Sequence, residues 1–235
     1  MFGYDLKQAA TYFFKDDKKN VKLIVLYILS IMNVALNNMK DVPPYLLLLV
    51  IPLLYFYGYN AKNNNLRILK RNDNLPELND WKNYLLLGFK NIAGFVLYFL
   101  IFVIIFGIFT LLIPFALKIN NFFMTTLAII LLIAGIFLFI IMMLAIEIAF
   151  SINLKFRSMF NFKLLKQIIF ENYKSFLQLI SVSIILGIAN VAISAVLAIT
   201  IVGIILIPLL YLYLLLIMSD LYGQFISKSI KLNEG

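Results

Sequence analysis

The chain of 235 residues has no cysteine and no histidine. The first absence excludes disulfides, thiol nucleophiles and thiolate metal sites. The second removes imidazole ligands and histidine proton relays. Charge is also scarce. Only 13% of residues carry it, against about a quarter in soluble domains. There is no glycine-rich phosphate loop with its lysine, no serine-centred nucleophile elbow and no zinc motif. No enzymatic activity, cofactor or bound metal is therefore expected. What remains is apolar: 63% hydrophobic residues and a mean hydropathy of +0.99. This reads as an all-α integral membrane protein forming one domain over residues 1–235. The first residues, MFGYDLKQAATYFFKDDKK, are amphipathic without an apolar core and are not expected to be a removable signal.

About 20 apolar residues cross a bilayer core of roughly 30 Å. Val21–Leu36 and Val42–Tyr59 are two short candidates, joined by NNMKDVPP. Leu85–Leu117 is interrupted only by Lys90 and Asn91. As one helix it would reach roughly 50 Å, so the third span is expected over Ile92–Leu117 with its first part at the interface. Phe122–Ala149 is the fourth. Phe176–Met218 holds no charge in 43 residues, enough for two crossings, with the reversal expected near Ala198–Gly203. The reading is about six transmembrane helices in three hairpins. It divides the chain into an interfacial helix (1–20), hairpin one (21–59), an elbow (60–91), hairpin two (92–149), a second interfacial helix (150–175), hairpin three (176–220) and a tail (221–235).

Charge tests this division independently. Of the 20 basic residues, 18 fall before span one, between spans two and three, between spans four and five, or in the tail, and only Lys40 and Lys118 fall in the alternate loops. The positive-inside rule then places both termini in the cytoplasm, and the expected location is the plasma membrane. The surplus of +9 is matched to anionic lipid headgroups at the cytoplasmic face rather than to nucleic acid.

Before each hairpin lies a basic amphipathic segment. WKNYLLLGFKN (81–91) and FKLLKQIIFEN (162–172) share an aromatic, a lysine, a second aromatic eight positions on, and a final asparagine; YDLKQAATY (4–12) keeps the aromatic spacing. Such helices suit the headgroup layer, with Trp81, Tyr84, Phe89, Phe162, Phe170, Tyr4 and Tyr12 as interfacial anchors. Pro76 suits a turn or helix start, and Asp80 is placed to cap a helix beginning at Trp81.

Intramembrane polar residues are costly and often functional. Glu147 is the most embedded, and Lys155 and Arg157 are its expected partners. Asn33 and Asn190 lie within spans, suited to hydrogen bonds between helices or to a polar pathway. Asp220, at the end of span six, is expected at the interface. Asp73, Glu77 and Asp80 lack the spacing of a cation loop and are assigned to capping and charge balance. Gly94, Gly107, Gly135, Gly187 and Gly203 are read as easing helix packing.

The run GYNAKNNNLRILKRNDNLPELNDWKNYLLLGFKN (58–91) resembles a prokaryotic membrane family known only as domain of unknown function 4013. The resemblance rests on Gly58, Tyr59, Arg67, Leu75, Pro76, Asp80, Trp81 and Gly88, and departs at Leu78, where the family pattern has tryptophan. AFSINLKFRSMFNFKLLKQIIFENYKSFL (149–177) and DLYGQFISKS (220–229) extend it over most of the chain. It implies a six-span helical membrane protein and no particular activity. The functional expectation is a non-enzymatic membrane-organising or lipid-interacting protein, or a subunit of a membrane complex, self-associated or with other partners. The alternative is a transporter or permease component with a polar site near Glu147.

Overall fold

The computed structural model describes residues 4–16, 18–37, 50–69, 75–118 and 122–229. Among them every regular element is helical. The order is α1 (Leu6–Thr11), a 3₁₀ turn (Tyr12–Lys15), α2 (Lys19–Asn37), α3 (Val50–Ile68), α4 (Trp81–Lys118), α5 (Phe122–Asn153), α6 (Phe156–Met159), α7 (Phe162–Lys166), a π turn (Gln167–Glu171), α8 (Tyr173–Leu197) and α9 (Ile201–Ser229). Four stretches are long and apolar enough to cross a membrane: Trp81–Gly107, Ile129–Asn153, Tyr173–Leu197 and Leu206–Ser229. The helices α2 and α3 have 19 residues each, about 28 Å at 1.5 Å per residue. The joint expected between spans one and two, with Lys40, lies outside the described residues. So do residues 119–121, between the two helices of the second expected hairpin.

Several boundaries differ from the sequence reading; α9, for one, runs through Asp220 to Ser229, where a tail was expected. No break falls at Ile92: the expected interfacial segment and the span form the single 38-residue helix α4. The chain turns earlier, at residues 75–80. The reason is a continuous inward stripe, Tyr84, Leu87, Gly88, Asn91 and Gly94, at the 3.6-residue period. Likewise α3 does not end at Tyr59 but continues to Ile68, with its second half buried. The last reversal falls at residues 198–200, within the expected stretch; the Gly203 N–H donates to the Thr200 hydroxyl (2.9 Å) and caps the start of α9. The 81–91, 162–172 and 4–12 segments take three conformations: regular α-helix, α-helix passing into a π turn, and α-helix passing into a 3₁₀ turn.

Packing concentrates at one end of the bundle, where α1, the α3 C-terminus, the α4 N-terminus and the α5 C-terminus meet α8 and α9. There Ala145, Ile146, Ile148, Ala149 and Phe150 of α5 are fully enclosed with Leu179, Leu221, Phe225 and Ile226. A second cluster joins Leu26, Phe56, Tyr59, Leu75, Tyr84, Leu212 and Leu216. Further along, α4 and α5 expose most of Val96–Ile105 and Ile129–Ile140. Lipid is as apolar as leucine, so helices in a bilayer are held by close packing and hydrogen bonds rather than by hydrophobic transfer. Both are dense at the packed end.

Candidate functional site

The packed end is built around the polar C-terminal half of α3. Asn63, Asn64, Asn65 and Arg67 are all buried, and each is tied to a distant segment. Asn63 Nδ2 donates to the Tyr12 hydroxyl and to Ser219 Oγ, both at 2.9 Å. Asn65 Nδ2 donates to the carbonyls of Ser151 (2.7 Å) and Ile152 (3.0 Å), two of the terminal acceptors that α5 leaves open. Arg67 forms a buried ion pair with Asp220 of α9, and its guanidinium lies 3.9 Å from the centre of the Tyr12 ring. Gln224 completes the arrangement. It donates to Asp220 (2.8 Å) and the Asp5 carbonyl (2.9 Å) and accepts from the Asp5 N–H (2.7 Å), docking α1 on α9. Burial pushes the Tyr12 hydroxyl up to about 12, against the lowering effects of Asn63 and Arg67. Asp220 is thus a core residue, covered by Arg67 and Gln224.

The turn between α3 and α4 is held by side chains reaching its backbone. The Leu75 N–H donates to Asp16 Oδ2 (2.8 Å), and the Leu75 carbonyl accepts from Lys22 Nζ (2.7 Å). Tyr59, Tyr84 and Tyr55 donate to the carbonyls of Pro76, Glu77 and Leu78. The three rings also pack on one another, with Tyr84 edge-on to both Tyr55 (5.3 Å) and Tyr59 (5.5 Å). Lys22 is buried with Asp16 at 2.9 Å and reaches Glu77 at 3.3 Å, so all three ammonium protons have acceptors. Glu77 pairs with Lys22 and, at 3.7 Å, with Lys18, and Asp80 accepts from Asn83 Nδ2 (2.9 Å). Asp73 lies outside the described residues. Among the described residues no cluster of three acidic side chains suits a metal.

Glu147 does not pair with Lys155 or Arg157. Its Oε1 accepts from Asn64 Nδ2 (3.3 Å) and its Oε2 from the Tyr222 hydroxyl (3.1 Å). The reason is local geometry: α5 ends at Asn153, and Leu154 adopts a left-handed φ of 53°, which turns the chain away from the α5 axis before either cation. Lys155 and Arg157 are exposed. They line an open cleft of about 550 Å³ with Asn153, Ser158, Asn161 and Phe162. Its position is fixed by α6. The Tyr98 hydroxyl of α4 donates to the Met159 carbonyl (2.8 Å), Tyr98 stacks on Phe160 at 5.1 Å, and Met159 fills the space a side chain at Gly94 would take.

Of the expected anchors, Trp81, Phe89, Phe162 and Phe170 are exposed, by 54%, 62%, 77% and 68%. Tyr12 and Tyr84 are buried. Tyr4 is half-buried, with its hydroxyl donating to the Ser175 carbonyl (2.8 Å). These three tyrosines fasten the fold rather than face outward. Asn190 is half-buried, and its side-chain oxygen has no partner among the described residues. The side chain of Asn33 lies outside them. Gly94 and Gly135 meet Met159 and Phe106, whereas Gly107 and Gly187 face open space. The sequence reading passed over Asn63, Asn64, Asn65, Tyr222 and Gln224. The available signal was the spacing Phe56, Tyr59, Asn63, Arg67, which continues one face of α3 from apolar to polar.

The chain belongs to the family described as protein of unknown function (DUF4013), whose model matches residues 45–201. No curated protein and no solved structure matches it.

Proposed function

We propose that this protein is a non-enzymatic, lipid-interacting membrane protein that holds anionic headgroups at its basic, cytoplasmic end. The observation carrying this reading is the cleft at the end of α5. Lys155 and Arg157 lie two residues apart, exposed and without a partner among the described residues, beside the polar side chains of Asn153, Ser158 and Asn161. Elsewhere at this end the buried cations are spoken for, Lys22 by Asp16 and Arg67 by Asp220. Arginine with a neighbouring lysine suits a phosphate, which the guanidinium can bind through two parallel hydrogen bonds. Exposed Phe162, Phe170 and Trp81 supply the amphipathic groups that favour the interface.

Two fixed cations contribute about 1 kcal/mol each near an anionic surface. The purified protein should therefore retain phosphatidylglycerol over phosphatidylcholine in native mass spectrometry. That preference should weaken about thirtyfold in Lys155→Ala/Arg157→Ala, as about 2 kcal/mol implies, and fall with salt, as surface charges are screened. Headgroup-indifferent retention, or retention unchanged by the double substitution, overturns the reading.

A further inference from the structure

Earlier along α5 than the basic cleft lies a feature that anionic lipid does not explain. Glu147 forms the polar end of an open groove of about 330 Å³ between α4, α5 and α8, lined by Phe95, Phe139, Ile140, Met143 and Ile184. The groove lies wholly within candidate membrane-spanning stretches. Ser183, the other polar side chain lining it, donates its hydroxyl to the Leu179 carbonyl (2.7 Å). Glu147 is half-buried. Its two hydrogen-bond donors, Asn64 and Tyr222, are neutral, and among the described residues no lysine or arginine reaches it. A carboxylate has about four acceptor sites, so two donors leave it with capacity to spare. Buried carboxylates elsewhere in the fold, Asp16 and Asp220, each have a cation. Glu147 alone among these three is set against an apolar groove without one.

We infer that this groove is a binding site for a lipophilic amine, an amphiphile with a cationic nitrogen at Glu147 and an apolar body along Met143, Ile140 and Phe139. A carboxylate in apolar surroundings is costly unless paired, and an incoming cation supplies the pairing. Depth narrows the class further. Glu147 lies six residues before the end of α5, about 9 Å along the helix. The amine of a zwitterionic phospholipid sits outside its phosphate, in the headgroup layer, and so does not fit at that level. A simple alkylamine, with no phosphate to keep in water, does.

The test uses the full chain in detergent micelles, with dodecylamine and its neutral match dodecanol as probes read by native mass spectrometry. Dodecylamine should be retained at least tenfold better than dodecanol. Glu147→Gln should remove that preference, and Lys155→Ala/Arg157→Ala should leave it intact, which separates this site from the anionic-headgroup cleft. Ile140→Trp and Ile184→Trp fill the groove from side chains that are 49% and 44% exposed. They should lower amine retention without touching Glu147, and they decide the matter if Glu147→Gln does not fold. Equal retention of amine and alcohol by the wild-type protein would mean that the carboxyl is held protonated and would overturn the inference. So would undiminished amine retention in Glu147→Gln or in both groove-filling variants.

Discussion

Gly58 of α3 and Gly88 of α4 each occupy the space that the other's helix would need for a side chain. A Cβ on Gly58 would fall 1.7 Å from the Tyr84 carbonyl oxygen, and one on Gly88 would fall 1.8 Å from the Leu54 carbonyl oxygen. Both obstacles are backbone, so neither can swing aside. The antiparallel helices touch main chain to main chain, which brings Tyr55 and Tyr59 of α3 alongside Tyr84 of α4 and lets all three reach the turn at residues 76–78.

Gly58→Ala and Gly88→Ala should each destabilise the protein by roughly 1–3 kcal/mol or more, the usual range for overpacking. Gly107→Ala and Gly187→Ala are the contrast. With nothing within 4 Å of the added carbon, the better helix propensity of alanine should leave stability unchanged or raise it by up to about 1 kcal/mol. Thermal unfolding in detergent separates the two pairs. Similar losses in all four would refute the close approach.

The Arg67–Asp220 pair should show the asymmetry of a buried ion pair. Removing one partner strands a charge, at a cost of roughly 3–5 kcal/mol, whereas replacing both costs much less. Arg67→Met and Asp220→Leu should each unfold far more readily than wild type, and the double variant should recover most of the difference. A double variant as unstable as the sum of the singles would mean that the pair's worth lies in its neighbours, Tyr12 and Gln224.

Asp16 gives the fold an acid-sensitive point. Burial alone would raise its carboxyl. The Lys22 ammonium and the N–H groups of Lys18 and Leu75 outweigh it and hold the carboxyl below the usual range. The folded state thus favours the ionised form more than the unfolded state does. Its contribution is complete above the unfolded value of about 4 and is lost as pH falls through the lower folded value. The melting temperature should drop below about pH 4 in wild type and drop less in Asp16→Asn, which should already be less stable at pH 7. Parallel pH profiles would exclude Asp16 as the source.

These contacts show which parts of the fold were legible in the sequence. The family positions Gly58, Tyr59, Leu75, Pro76 and Gly88 join α3, the turn and α4, and Arg67 ties α3 to α9, so a short motif carried real packing information. Helical class followed from apolar run lengths, and the 198–200 reversal from a run too long for one crossing. The polar half of α3 was not legible. NAKNNNLR reads as surface by composition, and its partners Glu147, Ser151, Ser219 and Asp220 lie about 80 to 160 residues away. The expected pairing of Glu147 with Lys155 or Arg157 failed for the same reason: nearness in sequence stood in for nearness in space, and the left-handed Leu154 separates the two.

Orientation is open to cysteine labelling, since the native chain has no cysteine. The proposed topology has Asn38→Cys and Asn120→Cys reacting with an impermeant reagent in intact cells. Asn64 would be a misleading inward control, because it is 1% exposed and would stay unreactive on either side. Lys82→Cys, at an exposed position, serves instead: it should react only after permeabilisation. Labelling of Lys82→Cys in intact cells would invert the topology.

Trp81 lets a single residue report the depth of the fold in the bilayer. It stands at the first position of α4, 54% exposed, with Lys82 Nζ at 5.6 Å from its ring centre. It therefore does not plug the interior. The inward stripe that begins at Tyr84 already fastens α4, so Trp81→Ala should cost little stability, within about 0.5 kcal/mol as for other surface substitutions. Its contribution is to depth. An indole at the interface prefers the headgroup level, where its ring is partly dehydrated and its N–H still finds an acceptor. As the only tryptophan, it reports its depth without interference. Brominated lipids should quench it most when bromine lies near the headgroups and least when it lies at the bilayer centre. A maximum at the centre would place the start of α4 inside the hydrocarbon, and the whole packed end, with the buried α3 asparagines, would move into the membrane with it.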